Sequence, residues 1–230
     1  MRFLVFDTET TGLPQTNFIN PFTLHQWPNI VQFSFIIYDS SLNDIVVSKD
    51  YIIKLPESIP ISEDSTNIHG ITNEISKKKG ILINEVLNEF FYYLRGADKL
   101  IGHNIEFDLN MVKVELLRLI NNTLLTSEQM KIYKYDLHFL TNFKNISCTL
   151  KDSIEFCNIQ VIDKKGKSYL KYPKLVELHE KLFNKYPNNL HNSFNDILVT
   201  LRCFMKLNHN IDLNDNCNSF KNYSSKIGLV

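Results

Sequence analysis

Apolar and polar positions sort the chain into an early group of strands followed by strand and helix alternation. Residues 2–6 form an apolar run of strand length headed by Arg2, and the polar stretch Asp7-Thr8-Glu9-Thr10-Thr11-Gly12 comes directly after it. This predicts a central strand that ends at a cleft. Residues 30–38 and 45–54 read as two further strands joined by the polar turn Asp39–Asp44, an antiparallel meander. Helical spacing follows, with Val86, Leu87, Phe90, Phe91 and Leu94 on one side of a helix over 82–95 that Gly96 ends. Lys99-Leu100-Ile101 predicts a short strand, and residues 106–120 a helix whose apolar side holds Met111, Val114, Leu117 and Leu119. More helices are expected near 149–157, 174–184 and 193–207. The order implies an α/β fold with a mixed sheet flanked by helices, not a doubly wound parallel sheet.

Composition narrows the class. The 230 residues are 43% hydrophobic and 22% charged, which suits a soluble globular domain. Lys+Arg and Asp+Glu are both 25, so a uniformly basic surface that coats nucleic acid is excluded while a local cleft is not. Every apolar run falls short of the roughly 18 to 20 residues that span a bilayer. The first residues lack a small-residue cleavage site, so a soluble, intracellular protein with no membrane partner is expected. Cys148, Cys157, Cys203 and Cys217 show no Cys-x-x-Cys spacing and read as reduced, partly buried thiols instead of a zinc site.

Three polar clusters interrupt this pattern. Asp7 and Glu9 sit two apart at a strand end, and the period of two turns both carboxylates to one face. Such a pair either ends a solvated strand or holds hard divalent ions, which prefer oxygen ligands. In Gly102-His103-Asn104-Ile105-Glu106-Phe107-Asp108 a strand runs into a helix with Asp108 in the first turn, where an acid also complements the helix dipole. The third cluster, His191-Asn192-Ser193-Phe194-Asn195-Asp196, leads the last helix.

Taken together these motifs resemble the DEDDh, or DnaQ-like, group of 3′-to-5′ exonucleases, a family that includes proofreading subunits of bacterial replicative polymerases. Phe6-Asp7-Thr8-Glu9-Thr10-Thr11-Gly12-Leu13 is similar to its first motif, Gly102-His103-Asn104 through Phe107-Asp108 to its second, and His191 with Asp196 to its third. Ile68-His69-Gly70-Ile71-Thr72 and Lys174-Leu175 resemble accessory stretches, so the likeness spans residues 1–207 as one exonuclease domain. It leaves 208–230 as a polar, Asn-rich tail of unknown role. The resemblance implies a ribonuclease H-like sheet of five strands and two divalent cations, Mg2+ or Mn2+. It makes Asp7, Glu9 and Asp196 ligands of one ion, with Asp7 reaching the second and Asp108 acting largely through water. It makes His191, in place of the Tyr of a sister group, the general base. Two ions stabilise the attacking and leaving oxygens of a phosphodiester displacement.

The implied substrate is the 3′ end of single-stranded nucleic acid, DNA preferred, cut to nucleoside 5′-monophosphates. The same residues would serve an exoribonuclease, and a catalytically silent binding module is the reading from another class; the complete set of acids and His191 speaks against it. By the same resemblance Thr8, Thr10, Gly12 and Leu13 hold the terminal nucleotide, Leu13 as a wedge beside its base. Asn104 lies near the entering strand, and His69 and Thr72 belong to a loop that closes on the site. Lys77-Lys78-Lys79 and Lys164-Lys165-Gly166-Lys167 are either solvated or track a phosphate backbone. Trp27, Phe33 and Phe35 read as core before stacking surfaces. The long loop 14–28, the segment 120–148 and any polymerase or repair partner are left without an assignment.

Overall fold

The computed structural model describes residues 1–188 and 190–229. Its centre is β1 (Arg2–Thr10), which pairs antiparallel with β2 (Ile30–Asp39), and β2 in turn with β3 (Asp44–Ile52). Two short helices follow, α1 (Glu63–His69) and α2 (Asn73–Lys79), then α3 (Ile83–Leu94). The chain returns through β4 (Lys99–Gly102), parallel to β1, into α4 (Ile105–Ile120) and α5 (Ser127–Asn142). Next comes β5 (Ile146–Cys148), parallel to β4, which completes a five-stranded mixed sheet of order β3-β2-β1-β4-β5. The remaining elements are α6 (Thr149–Asp152), α7 (Ile154–Cys157), the hairpin of β6 (Gln160–Ile162) and β7 (Ser168–Leu170), α8 (Leu175–Phe183), α9 (Ser193–His209), α10 (Leu213–Asn216) and α11 (Asn218–Lys226).

Both faces of the sheet are covered, which explains why β1 begins as an unbroken apolar run. Leu4 and Phe6 enter the core shared with α3 and α4, whereas Phe3 and Val5 enter the core shared with α8, α9 and α11. Phe33, Phe35 and Phe90 pack as mutually edge-on rings in the first core. Trp27, Phe33, Phe35 and Met111 are buried there too, so the aromatics serve the core. All four cysteines are free and buried. Among the described residues no helix is long and apolar enough to cross a membrane.

Several sequence expectations need correction. β1 does not stop at Phe6 but stays paired with β2 through Glu9, with a bulge between Glu9 and Thr10. Asp7 and Glu9 therefore lie inside a clamped strand instead of beyond its end. The helix expected over 149–157 is broken at Ser153 into α6 and α7. The unassigned segment 120–148 holds α5, started by a reciprocal cap between Thr126 and Gln129, and the fifth strand β5. The part of the polar, Asn-rich tail that the structure describes, residues 208–229, is folded: Leu213, Cys217, Phe220 and Leu229 are buried in the second core. Arg202 secures them by a paired contact to Asp212 at 2.9 and 2.8 Å, lying 3.9 Å over the Phe183 ring. Four apolar side chains spread among Asn, Asp and Ser left little periodicity to read.

Phe220→Ala is expected to lower unfolding free energy by about 3–5 kcal/mol in a denaturant titration, as for a large ring removed from a packed core. A change below about 1 kcal/mol would mean that the C-terminal helices contribute nothing to the core.

Candidate active site

The alternation of β1 distributes its polar end between two faces. Asp7 and Glu9 turn toward the N-terminus of α9, where Asp196 stands in the first turn. Ligand oxygens of Asp7, Glu9 and Asp196 lie within 4.8 Å of one another. Thr8 points the other way and reaches Asp108, whose Oδ1 accepts from the Thr8 N–H at 3.0 Å and the Thr8 hydroxyl at 2.7 Å. Asp108 is buried, and it stands outside the three-acid group while still close enough to raise Asp7. Its helix starts close against the end of β4, which the missing side chain of Gly102 allows: a Cβ there would sit 2.9 Å from the Ile105 side chain. Asn104 then takes the left-handed conformation, φ 63°, that its short polar side chain tolerates.

Asp7, Glu9 and Asp196 are half-buried, and they repel each other. Burial, then Asp108, Asp196 and Glu9, push the Asp7 carboxyl well above the usual carboxylate range. Burial lifts Glu9 to about 7, and burial with the neighbouring Glu9 charge lifts Asp196 to about 8. Asp196 Oδ1 is buried and accepts no hydrogen bond, while Oδ2 accepts from the His191 N–H at 3.2 Å. A buried carboxylate oxygen without a donor is costly. A divalent cation among Asp7, Glu9 and Asp196 would supply its missing partner and offset the repulsion, and an all-oxygen donor set suits Mg2+ or Mn2+. The residues fit such an ion.

His191 is exposed at the mouth of the cleft with φ 68°, a left-handed backbone uncommon for a non-glycine residue. Two cavities flank the acids. One, of about 460 Å³, is lined by Thr8, Glu9, Thr10, Gly12, Leu13, Ile68, His69 and Phe107 among others. The other, of about 470 Å³, is lined by Asp7, Asn104, Lys174, His191 and Asp196 among others. Leu13 is 82% exposed, so packing does not account for it.

Thr8, His69 and Thr72 each have a partner within the protein. The Thr8 hydroxyl is committed to Asp108. His69 closes α1, accepting the Ile71 N–H at Nδ1 (3.0 Å), which leaves the proton on Nε2 facing the Thr10 carbonyl at 3.3 Å. Both ring nitrogens are engaged, and burial lowers the pKa, so His69 acts as a neutral clasp on the end of β1. Thr72 caps α2 by accepting from the Ile75 N–H at 3.1 Å. The stretch that the resemblance makes a loop closing on the site is thus two helices of seven residues joined at Gly70, and helices this short leave weak periodicity.

A positioning device went unread. Gln32 and Ser34 face Glu9 and Asp7 across the β1–β2 pair, and both donate to Asp50 at 2.8 Å. With its proton given to Asp50, Ser34 accepts from the Ser193 hydroxyl at 2.6 Å, and Gln32 accepts from the Ser193 N–H at 3.3 Å. This ladder docks the start of α9, and so Asp196, onto the sheet. Its signal was two polar residues alternating inside an otherwise apolar strand. Loop 14–28 is likewise organised: Arg118 donates to the carbonyls of Leu24, Trp27 and Pro28 at 2.6–3.0 Å.

A family model described as Exonuclease matches residues 4–204. Over 119 residues the chain is 31% identical to DNA polymerase III subunit epsilon of Pasteurella multocida (strain Pm70), covering 51% of this chain and 43% of that protein. It is also 31% identical over 146 residues to the PolC-type DNA polymerase III of Caldanaerobacter subterraneus, covering 62% of this chain and 9% of that one. The chain thus spans less than half the length of these curated relatives. Exonuclease I of E. coli, solved in complex with a dT13 oligonucleotide, superposes with a TM-score of 0.60 at 18% identity over 89% of this chain and 41% of that chain. Its counterpart from Methylocaldum szegediense gives 0.55 at 17% identity, over 93% and 42%. These structures share the ribonuclease H-like fold described above.

Metal should act on stability with a defined pH sign. Without metal the folded acids titrate up to about 8, against about 4 when unfolded, so the native state holds extra protons between these values. Stability contributed by the cluster falls as pH rises. Buried His69, His103 and His179, whose pKa values are lowered by burial, give the opposite slope, but only below about 6.5. Melting temperatures in EDTA are therefore expected to fall from pH 6.5 to 8, and Mn2+ to raise them far more at pH 8 than at pH 5. An equal Mn2+ shift at both pH values would contradict an ion held by these carboxylates.

Proposed function

The chain belongs to the exonuclease family, and from that premise we propose that it is a divalent-metal-dependent 3′-to-5′ exonuclease that releases nucleoside 5′-monophosphates from single-stranded DNA. The observation that carries this reading is the trio Asp7, Glu9 and Asp196 with one buried, unpartnered oxygen aimed into it. The names of the curated relatives, both parts of DNA polymerase III, support DNA over RNA.

Asp7, Glu9 and Asp196 would hold one cation, and Asp7 with Asp108 the second. When bound, the ions supply Lewis-acid stabilisation to the attacking and leaving oxygens of an in-line displacement. His191 stands at the cleft mouth beside these acids, and its imidazole takes the proton of the attacking water, while the His191 backbone N–H donates to the Asp196 carboxylate. Thr8 holds Asp108 from behind, so the fourth acid is oriented by β1 itself. Leu13, exposed at the rim of the Glu9 cavity, wedges against the terminal base, and the turn at Thr10 to Gly12 is fixed by a 2.7 Å hydrogen bond between the Thr10 hydroxyl and the Gly12 carbonyl. His69 holds that turn through the Thr10 carbonyl, and Asn104 faces the strand on the Asp7 side.

The test is a digestion time course with 5′-labelled DNA and RNA oligonucleotides of matched sequence in Mg2+ or Mn2+. A descending ladder, faster on DNA and abolished by EDTA, is expected. Asp7→Asn should reduce turnover to background, and in EDTA it should lose less melting temperature than wild type as pH rises through about 8, since one group of the cluster no longer ionises. His191→Ala should cost about 10²–10⁴-fold in rate with Mn2+ binding retained, the range of a lost general base. Faster RNA removal would reassign the substrate. Full turnover by a folded Asp7→Asn protein would refute the metal mechanism.

A further inference from the structure

The acid cluster stands between two cavities, both lined by carboxylates of the cluster, and only the one on the Asp7 side also carries a lysine. The cavity on the Glu9 side also carries Asp64, and no lysine or arginine lines it. A phosphate backbone continuing that way would meet further negative charge. The cavity on the Asp7 side carries Lys174 and His191. Lys174 lies four residues beyond the end of β7, so the β6–β7 hairpin is joined to this wall of the cleft by a short stretch of chain.

The tip of that hairpin presents Lys164, Lys165 and Lys167, all exposed, and none forms an ion pair among the described residues. The contrast is with the other lysine run, where Lys77 pairs with Glu57 and Lys78 with Glu74, both at 2.6 Å. The hairpin turn is built and not slack: Asp163 Oδ1 accepts from the N–H groups of Lys165 at 2.8 Å and Lys167 at 2.9 Å, and Gly166 takes φ 80°. Tyr169 and Tyr172, 51% and 59% exposed, stand between the tip and Lys174. Residues 144–185 hold nine lysines against five carboxylates in a chain that is neutral overall. Cations interleaved with exposed rings are what a single strand needs, phosphates meeting the ammonium groups and bases the ring faces.

We infer that the β6–β7 hairpin and Lys174 form a track for the backbone of a single-stranded nucleic acid on the 5′ side of the bond being cut, an inference that rests on the exonuclease reading above. Lys167 is at most about 25 Å of chain from Lys174, at roughly 3.5 Å per residue, so a strand of several nucleotides suffices to span the two. The track sets affinity for long substrates and leaves the chemistry of short ones alone.

The experiment compares the full chain with a Lys164→Ala, Lys165→Ala, Lys167→Ala variant and with the corresponding triple Arg variant. Binding of a fluorescent 20-nucleotide oligo-dT is followed by anisotropy over a salt series in Ca2+, and hydrolysis of the p-nitrophenyl ester of thymidine 5′-monophosphate is followed in Mn2+. The Ala variant is expected to bind the 20-mer at least about tenfold more weakly at low salt. Its slope of log affinity against log salt should be shallower by about 2, near 0.7 per lost phosphate contact. The Arg variant should restore both, and all three proteins should hydrolyse the ester alike. An unchanged salt slope would overturn the track, as would an equal loss on ester and 20-mer. If the wild type binds the 20-mer with the expected slope and the Ala variant does not, yet neither ester nor 20-mer is cut in Mn2+, the exonuclease reading fails and the track stands.

Discussion

Mutual repulsion of Asp7, Glu9 and Asp196 is the constraint on which the rest of the structure turns. At separations below 4.8 Å each ionised pair opposes folding by roughly 3–4 kcal/mol at an effective dielectric near 20. A flexible site would relieve this by moving apart. Here the backbone has no such freedom, because β1 is hydrogen-bonded to β2 on one side and β4 on the other, and apolar side chains cover both faces of its first half. The unbroken run at the start of the chain is thus the anchor that holds two carboxylates where they would not stay by themselves.

The third carboxylate arrives on a helix, and a helix dipole alone would not fix its start to better than a turn. The polar ladder of Gln32, Ser34, Asp50 and Ser193 does this, with every bond at 2.6–3.3 Å. It places polar groups in the sheet interior, where an unsatisfied partner is expensive, so register between β2 and α9 is specified by hydrogen-bond geometry and not only by packing. Thr8 does the same for α4 through Asp108. Both devices start from β1 or its neighbour, which makes the central hairpin the common reference for all four acids.

How much of this was legible in the sequence depended on range. Phe3 to Phe6, the β2 and β3 runs and the α3 pattern of Val86, Leu87, Phe90, Phe91 and Leu94 are local signals, and the corresponding elements lie within one or two residues of expectation except at the far end of β1. The four acids and His191 are singled out by motif order, and the fold brings Asp7, Glu9 and Asp196 together with His191 beside them. What was not legible is pairing. Nothing near Ser193 indicates that its partners are Gln32 and Ser34, nothing near Asp212 indicates Arg202, and a lone His69 has no local sign that both its nitrogens are spoken for. The C-terminal helices failed for a related reason: Leu213, Phe220 and Leu229 become a core only when the sheet face they cover is known.

Neutrality of the whole chain also concealed something that the fold makes plain. Charge acts over a Debye length of about 8–10 Å, so an approaching polyanion meets the local balance at the cleft and not the sum over 230 residues. The fold makes the two sides of the acid cluster unequal: the Glu9 side adds Asp64 and no lysine, while the Asp7 side adds Lys174, the residue from which the inferred track leads to the hairpin tip. An exposed Leu13 on the Glu9 side suits a base, which is flat and uncharged, and the lysines on the opposite side suit phosphates. A strand laid across the cleft in the reverse direction would bring its backbone to Asp64 and its terminal base to the lysines. On the proposed function, the direction of digestion is therefore favoured by the electrostatics of the two walls as well as by the geometry of the acids between them.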